Sequence, residues 1–300
     1  MRVRKLGSLE ISVVGLGCIT FGRTVNEKGT RAVVDAAFDS GVSFFDTADV
    51  YGDGASETLL GGALAGRRDR VVLATKWGLR PMWADPEPHG SRAYIRRAIE
   101  ESLTRLQTDH VDVYQHHHED AETSLEETCA ALKELHDEGK ILAAGTSNYS
   151  ASRVERGAAI AADLGLPYVS EQSEYSWLCR EVENDLFPVC ERLGLGFIAH
   201  SPLAAGLLTG KVTRDTPAAE GTRLHGHEIA DADLDHVERL REWAEARGVS
   251  LLEVALGGVA SVPHVVSVIP GATTPEHVRE NAAAAEWTPS AEELAELKQL

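Results

Sequence analysis

The stretch Phe45-Asp46-Thr47-Ala48-Asp49-Val50-Tyr51-Gly52 decides how this chain is read. It continues the apolar run 42–45, which reads as a buried strand, so Asp46 falls at the strand end and Tyr51 in the loop beyond. The arrangement recurs. Ala74-Thr75-Lys76 closes the apolar run 71–74, and Val111-Asp112-Val113-Tyr114-Gln115-His116-His117 closes a third. An Asp, a Tyr, a Lys and a His therefore stand at or just after the C-terminal ends of successive strands. Parallel neighbours would bring the four side chains to one mouth, because the C-terminal ends of a parallel sheet share a face.

Outward from these segments the alternation continues. Residues 13–17, 42–46, 71–76, 111–116, 141–147, 168–172, 196–200 and 265–270 read as strands. Residues 56–64, 91–106, 123–138, 151–164, 182–193, 234–247, 250–260 and 275–285 carry helical patterns. Ser91, Thr123, Ser150 and Ser290 precede helical patterns and are placed to accept from their free N–H groups. Thr123-Ser124-Leu125-Glu126 reads as a capping box. Eight β/α units with near-continuous apolar strands predict an α/β protein, a (β/α)8 TIM barrel. A hairpin of residues 2–5 and 10–12 around Gly7-Ser8 precedes it. The structural rival is an open doubly wound sheet. It carries G-x-G-x-x-G after its first strand, whereas this chain has Gly15-Leu16-Gly17-Cys18-Ile19-Thr20-Phe21-Gly22. No linker interrupts the pattern, so a single domain over residues 1–300 is expected.

Forty-seven acidic residues against 29 basic ones give a formal charge of −18, the opposite of a nucleic-acid binder. An anionic ligand must then be held by local cations or backbone N–H groups. No apolar run approaches the length of a membrane span, and no apolar core follows the basic start Met1-Arg2-Val3-Arg4-Lys5, so a cytoplasmic protein is expected. Cys18, Cys129, Cys179 and Cys190 are widely spaced and read as reduced thiols. Cys18 and Cys190 read as small core residues rather than nucleophiles. The run His116-His117-His118-Glu119-Asp120 invites a metal reading, but adjacent strand residues point to opposite faces, and no metal is expected.

The four strand-end residues make a proton donor. A tyrosine hydroxyl keeps its proton at neutral pH, its ordinary pKa being about 10. A lysine ammonium beside it favours the phenolate and tunes the acid. Asp46 would anchor that lysine, and His117 would orient a substrate oxygen. Such an acid serves an oxygen that becomes negative in the transition state, as hydride addition to a carbonyl makes it. Side chains carry no hydride, so a nicotinamide cofactor is required. Trp77 beside Lys76 reads either as packing or as a wall of the substrate pocket together with Tyr51 and His117, with Trp83 and Trp177 as further candidates for that mouth.

At this point the chain resembles the aldo-keto reductases, in the bacterial branch related to potassium-channel β subunits and general aldehyde reductases. Gly15-Leu16-Gly17, the Asp46–Tyr51, Lys76 and His117 segments, Gly145-Thr146-Ser147-Asn148, Ser201-Pro202-Leu203, Gly206-Leu207-Leu208-Thr209-Gly210-Lys211, Ile269-Pro270-Gly271 and Glu280-Asn281 carry the resemblance in order. It implies Asp46, Tyr51, Lys76 and His117 as a catalytic tetrad with Tyr51 the acid. It implies NADP(H), with NAD(H) left open, as cofactor. Cys18, Asp46, Ser147, Asn148 and Gln172 would lie around the nicotinamide, and Ser201, Pro202, Leu203, Gly206, Lys211 and Arg223 around the phosphates. Gly271, Thr273, His277, Glu280 and Asn281 would meet the adenosine half. Where relatives stack an aromatic ring on the nicotinamide, this chain has His200. Where many carry a cation for the 2′-phosphate, it has Thr273 and His277. Ending at Leu300, it is expected to lack the long C-terminal loop of steroid-type relatives. The implied activity is reduction of an aldehyde or ketone. The alternatives are a non-catalytic nucleotide-sensing partner, from which His117 separates it because channel subunits carry Asn there, and a reductase of nucleotide-linked deoxysugars. The expected partner is a small carbonyl substrate, with a homo-oligomer left open and neither nucleic acid nor membrane.

Overall fold

A computed structural model describes residues 1–79 and 87–300. The chain opens with an antiparallel hairpin, β1 (Val3–Leu6) and β2 (Leu9–Ser12). Eight parallel strands follow in the order of the sequence: β3 (Leu16–Gly17), β4 (Phe44–Asp46), β5 (Val72–Trp77), β6 (Val111–His116), β7 (Ile141–Ser147), β8 (Tyr168–Glu174), β9 (Gly196–His200) and β10 (Val265–Ile269). Parallel bridges Val14–Val268 and Gly17–Gly271 join the first strand to the last. The sheet is thus a nearly closed barrel with helices between its strands, as the β/α alternation predicts.

The seam explains the two glycines before Cys18. A Cβ at Gly15 would stand 2.7 Å from the Phe44 ring and 2.9 Å from Ile269, and one at Gly17 would stand 2.9 Å from the Ile269 carbonyl. Only glycine lets β3 approach both neighbours, with Gly15 N donating to Val268 O and Gly17 N to Pro270 O. Regular pairing of this strand is accordingly shorter than the expected 13–17.

A period of two along the strands builds the interior. Phe44, Ala74, Val113, Ala143, Ile198 and Ile269 form one buried cluster, which Leu6 and Ile11 of the hairpin join. Two residues further along the same strands stand Asp46, Lys76, Gln115, Gly145, His200 and Gly271. β8 reaches the same parity through a bulge, its pairing passing from Ala144/Tyr168 to Gly145/Ser170. The apolar layer therefore floors a polar one. The alternate residues face the helices.

The helices are α1 (Glu27–Asp39), α2 (Ala55–Leu64), α3 (Arg92–Leu106), α4 (Leu125–Asp137), α5 (Ala151–Leu164), α6 (Leu186–Leu193), α7 (Asp231–Glu245), α8 (Leu251–Glu253, running into a π turn at Val254–Gly258), α9 (Pro275–Ala284) and α10 (Ala291–Leu297). Ser91 and Ser290 cap as expected. Two caps differ. Ser124, not Thr123, caps α4, because the Thr123 hydroxyl is given to Asp120. Ser150 gives its hydroxyl to Glu119 and makes no side-chain cap. α6 starts later than the predicted 182 because Pro188 lacks an N–H and is tolerated only in a first turn. Among the described residues no helix is long and apolar enough to cross a membrane.

Candidate active site

The polar layer gathers the strand-end residues that the sequence singles out. Lys76 Nζ, wholly buried, donates to Asp46 Oδ2 at 2.5 Å and to Thr47 O at 3.1 Å. Its ammonium lies 5.3 Å from the centroid of the Tyr51 ring. The Lys76 charge acts on the phenol, favouring its ionised form. Asp46 Oδ1 accepts from Gln172 Nε2 at 2.8 Å and from Gln115 Nε2 at 3.3 Å. The His117 ring meets Tyr51 edge-on, with centroids 5.7 Å apart. Asp46, Tyr51, Lys76 and His117 are therefore one cluster, as expected.

Electrostatics fix the protonation states. Burial raises the Tyr51 pKa above its ordinary value; Lys76 opposes this without reversing it. Burial works against the Lys76 charge, but Asp46 and then Tyr51 outweigh it, and its pKa is raised. Burial, and next Lys76, push His117 down to about 2. At neutral pH the site thus holds a protonated phenol, a charged lysine and a neutral imidazole. The His117 Nδ1 is buried with no partner.

A second group adjoins the first. Asn148 follows β7 in the left-handed region at φ 56° and donates its backbone N–H to Gln172 O. Its Nδ2 donates to His117 O at 3.1 Å and to Ser147 Oγ at 2.9 Å. Its Oδ1 lies 2.9 Å from His200 Nε2. Ser147, Asn148, Gln172 and His200 thus sit around the tetrad.

Beyond β9 the backbone turns repeatedly through positive φ, at Ser201, Ala204, Ala205 and Gly206. A Cβ at Gly206 would meet nothing within 4 Å, so the loop presents open backbone there. Pro202 is buried and Leu203 half-buried beside it. Of the cations on this stretch, Arg214 is held by Asp231 and Asp235, which leaves Lys211 and Arg223 exposed. Arg223 is near enough to bear on the His200 ring. Gly271 lies on the barrel seam. At the start of α9 the Thr273 hydroxyl and His277 Nδ1 are 3.1 Å apart. Glu280 is exposed and Asn281 buried on the same helix. Open backbone, two exposed cations and a helix start with two polar side chains form a donor set that suits a dinucleotide with anionic phosphates.

Four expectations fare differently. Trp77 has the opposite parity to Lys76. It is buried among the helices, stacked between Tyr114 and His116, and donates Nε1 to His89 O, so it is not a pocket wall. Trp177 is buried too, against Gly258, donating Nε1 to Val254 O in the π turn. Cys18 is wholly buried, with its thiol on Leu16 O. Trp83 lies outside the described residues.

Sequence reading missed two supports. Gln115 touches Asp46, and a period of two back from His117 would have found it. Glu57, wholly buried, accepts from Thr75 Oγ1 and Arg105 Nε, each at 2.6 Å, and fastens the start of α2 to β5 and α3. No local pattern announces that contact.

The fold and this cluster define a barrel with a buried Asp46–Tyr51–Lys76–His117 group at the strand ends. A sequence model of the aldo/keto reductase family matches residues 13–300. A probable voltage-gated potassium channel subunit beta of Arabidopsis thaliana is 35% identical over 96% of this chain and 92% of its own length. A protein of the same description from Oryza sativa subsp. japonica is 37% identical over the same shares. Probable aldo-keto reductase 1 of Glycine max is 32% identical over 98% of this chain and 87% of its own. The chain belongs to the aldo/keto reductase family, an oxidoreductase family of NADP-linked carbonyl reduction in general.

Proposed function

We propose that this protein reduces an aldehyde or ketone to an alcohol with NADPH, Tyr51 giving the proton. The observation that carries the reading is the buried Asp46–Lys76 pair beneath a protonated Tyr51. The bound nicotinamide would supply the hydride. The chain's own residues do the rest. Tyr51 and the neutral His117 orient the carbonyl oxygen between them. As negative charge gathers on that oxygen, the phenol proton passes to it. The charge left on Tyr51 falls beside Lys76, which Asp46 keeps charged; the ion pair thus acts on the transition state more than on the ground state.

Ser147, Asn148 and Gln172 would hold the nicotinamide amide, and the loop from Ser201 to Lys211 with Arg223 the phosphates. Gly271, Thr273, His277, Glu280 and Asn281 would take the adenosine half, with Thr273 and His277 meeting the extra phosphate of NADPH. The substrate would meet Tyr51 and His117. A cytoplasmic single-domain enzyme over residues 1–300 completes the reading.

The test is NADPH absorbance with a panel of aldehydes and ketones. Tyr51→Phe keeps the ring and removes the acid, so kcat should fall by about 10² to 10⁴ while NADPH still binds. Near-wild-type turnover would remove Tyr51 from the mechanism. The names of the Arabidopsis and Oryza relatives favour one other reading, a nucleotide-sensing partner of a channel. It predicts NADPH binding with no turnover of any carbonyl in the panel.

A further inference from the structure

We propose that His200 is a positioning residue: its ring N–H pins the side-chain amide of Asn148, and this tether, rather than stacking area, is what the imidazole contributes to the nicotinamide site. The proposal rests on the NADPH-dependent reading above.

Chemistry fixes the geometry. His117 O can only accept, so the Asn148 atom facing it at 3.1 Å must be Nδ2, and Oδ1 is the atom turned to His200. An amide oxygen also only accepts. The His200 Nε2, 2.9 Å away, must therefore carry the ring proton. A neutral ring protonated at Nε2 has an acceptor at Nδ1, and the Ser201 hydroxyl stands 3.2 Å from it and can donate. Asn148 thus selects the tautomer, and the Ser201 hydroxyl, able to donate or accept, satisfies it. Burial, then the charges of Lys76, His118 and Arg223, hold the ring pKa down to about 4, so it remains neutral at physiological pH.

The tether completes the restraint of Asn148. Two contacts hold the amide nitrogen, and His200 holds the oxygen. The residue sits at φ 56°, and Ser201 on the other side of the ring at φ 54°. Left-handed non-glycine residues persist where their surroundings over-determine them. A line of bonds runs from β9 through His200 and Asn148 to the carbonyl of His117, so the ring couples the cofactor side of the mouth to the tetrad. A phenyl ring at position 200 has the flat face but no donor at its edge. It would leave Asn148 Oδ1 without its partner.

Two substitutions separate tether from stack. His200→Phe keeps an aromatic face and loses the donor; His200→Gln keeps an N–H donor and loses the ring. The Asn148 tether predicts that His200→Phe weakens NADPH about tenfold in a fluorescence titration, a change of about 1.4 kcal/mol, and lowers kcat/KM for the carbonyl. His200→Gln should stay within about threefold of wild type on both measures. NADPH binding that is unchanged or tighter in His200→Phe, with loss in His200→Gln, would overturn the proposal. ¹⁵N spectra of the cofactor-free wild type give a readout independent of activity and of variant folding. At pH 7 the His200 ring should show a protonated Nε2 and an unprotonated Nδ1. The opposite tautomer, or fast averaging of the two, would also overturn it. A wild type that binds no NADPH defeats the functional reading itself, whereas equal binding by wild type and His200→Phe defeats the tether alone.

Discussion

In the proposed mechanism the Asp46–Lys76 pair serves the chemistry, and its burial sets a cost in stability. Both side chains are almost wholly removed from water. Desolvating two charges costs several kcal/mol, which their attraction offsets only with good geometry and further hydrogen bonds. Here Thr47 O, Gln172 and Gln115 supply those bonds. Removing one partner should be far worse than removing both. Lys76→Met leaves a buried carboxylate facing no cation and is expected to lose about 3–5 kcal/mol in urea unfolding. Adding Asp46→Asn to it removes the stranded charge and should recover most of that loss. Carbonyl reduction should remain lost in the double variant, because nothing then meets the charge left on Tyr51. If the double variant were as unstable as Lys76→Met alone, the stranded carboxylate would not be the cause.

Between elements, Glu171 is a wholly buried acid outside the cluster around Tyr51. It points outward from β8 and accepts from Thr146 Oγ1 at 2.5 Å, from Ser173 Oγ at 2.7 Å and from Tyr149 N at 3.3 Å. It thereby ties β7, β8 and the turn after Asn148. Burial pushes it up to about 7 from an ordinary 4.5, against the pull of these donors. The sign follows from proton linkage. Between about pH 4.5 and 7 the folded protein holds a proton there that the unfolded chain has released. This carboxyl's contribution to stability therefore declines as pH rises through the window and levels off above it. Glu171→Gln removes that dependence. The difference in urea midpoint, variant minus wild type, should grow from pH 5 to 7 and then stay constant. Histidines titrating in the same range cancel in the difference. A difference independent of pH would show that Glu171 does not titrate there. The sequence disclosed the strands of this network but not its bonds. Parity along a strand is a one-dimensional signal, which is why Asp46, Lys76 and His117 were legible and why Gln115 could have been. Parity also puts Trp77 outside, a consequence that its place beside Lys76 concealed. The Asn148–His200 contact spans 52 positions and depends on where two loops turn, which no local pattern encodes.

At the scale of the whole molecule, the barrel brings residues from both ends of the chain to one rim. Ser147 and Asn148 come from the middle, the loop from Ser201 to Lys211 follows β9, and α9 follows β10, which also meets β3 at the seam. The β/α count predicted this closure, because eight units with buried strands have few other ways to cover both faces. How the long segment between β9 and α7 folds was not legible, since its polar, glycine-rich sequence has no period to read. A ligand held by all of these segments binds only the folded chain and must stabilise it by mass action. At one hundred times its Kd, NADPH would add about 2.7 kcal/mol, which for a chain of this size is a rise of several degrees in Tm. The formal charge of −18 sets the mean field against such an anion, so the exposed Lys211 and Arg223 should supply much of the attraction. Thermal unfolding with increasing NADPH should therefore show a concentration-dependent rise in Tm. The Lys211→Ala/Arg223→Ala pair should need roughly one hundred times or more NADPH for the same rise, since each of the two lost charge-assisted bonds is worth about 1.5–3 kcal/mol. Its Tm without ligand should hardly change, because both residues are exposed surface cations. A wild-type Tm indifferent to NADPH would contradict the dinucleotide assignment. A normal shift in the double variant would leave the ligand in place and return the phosphates to the open backbone around Gly206.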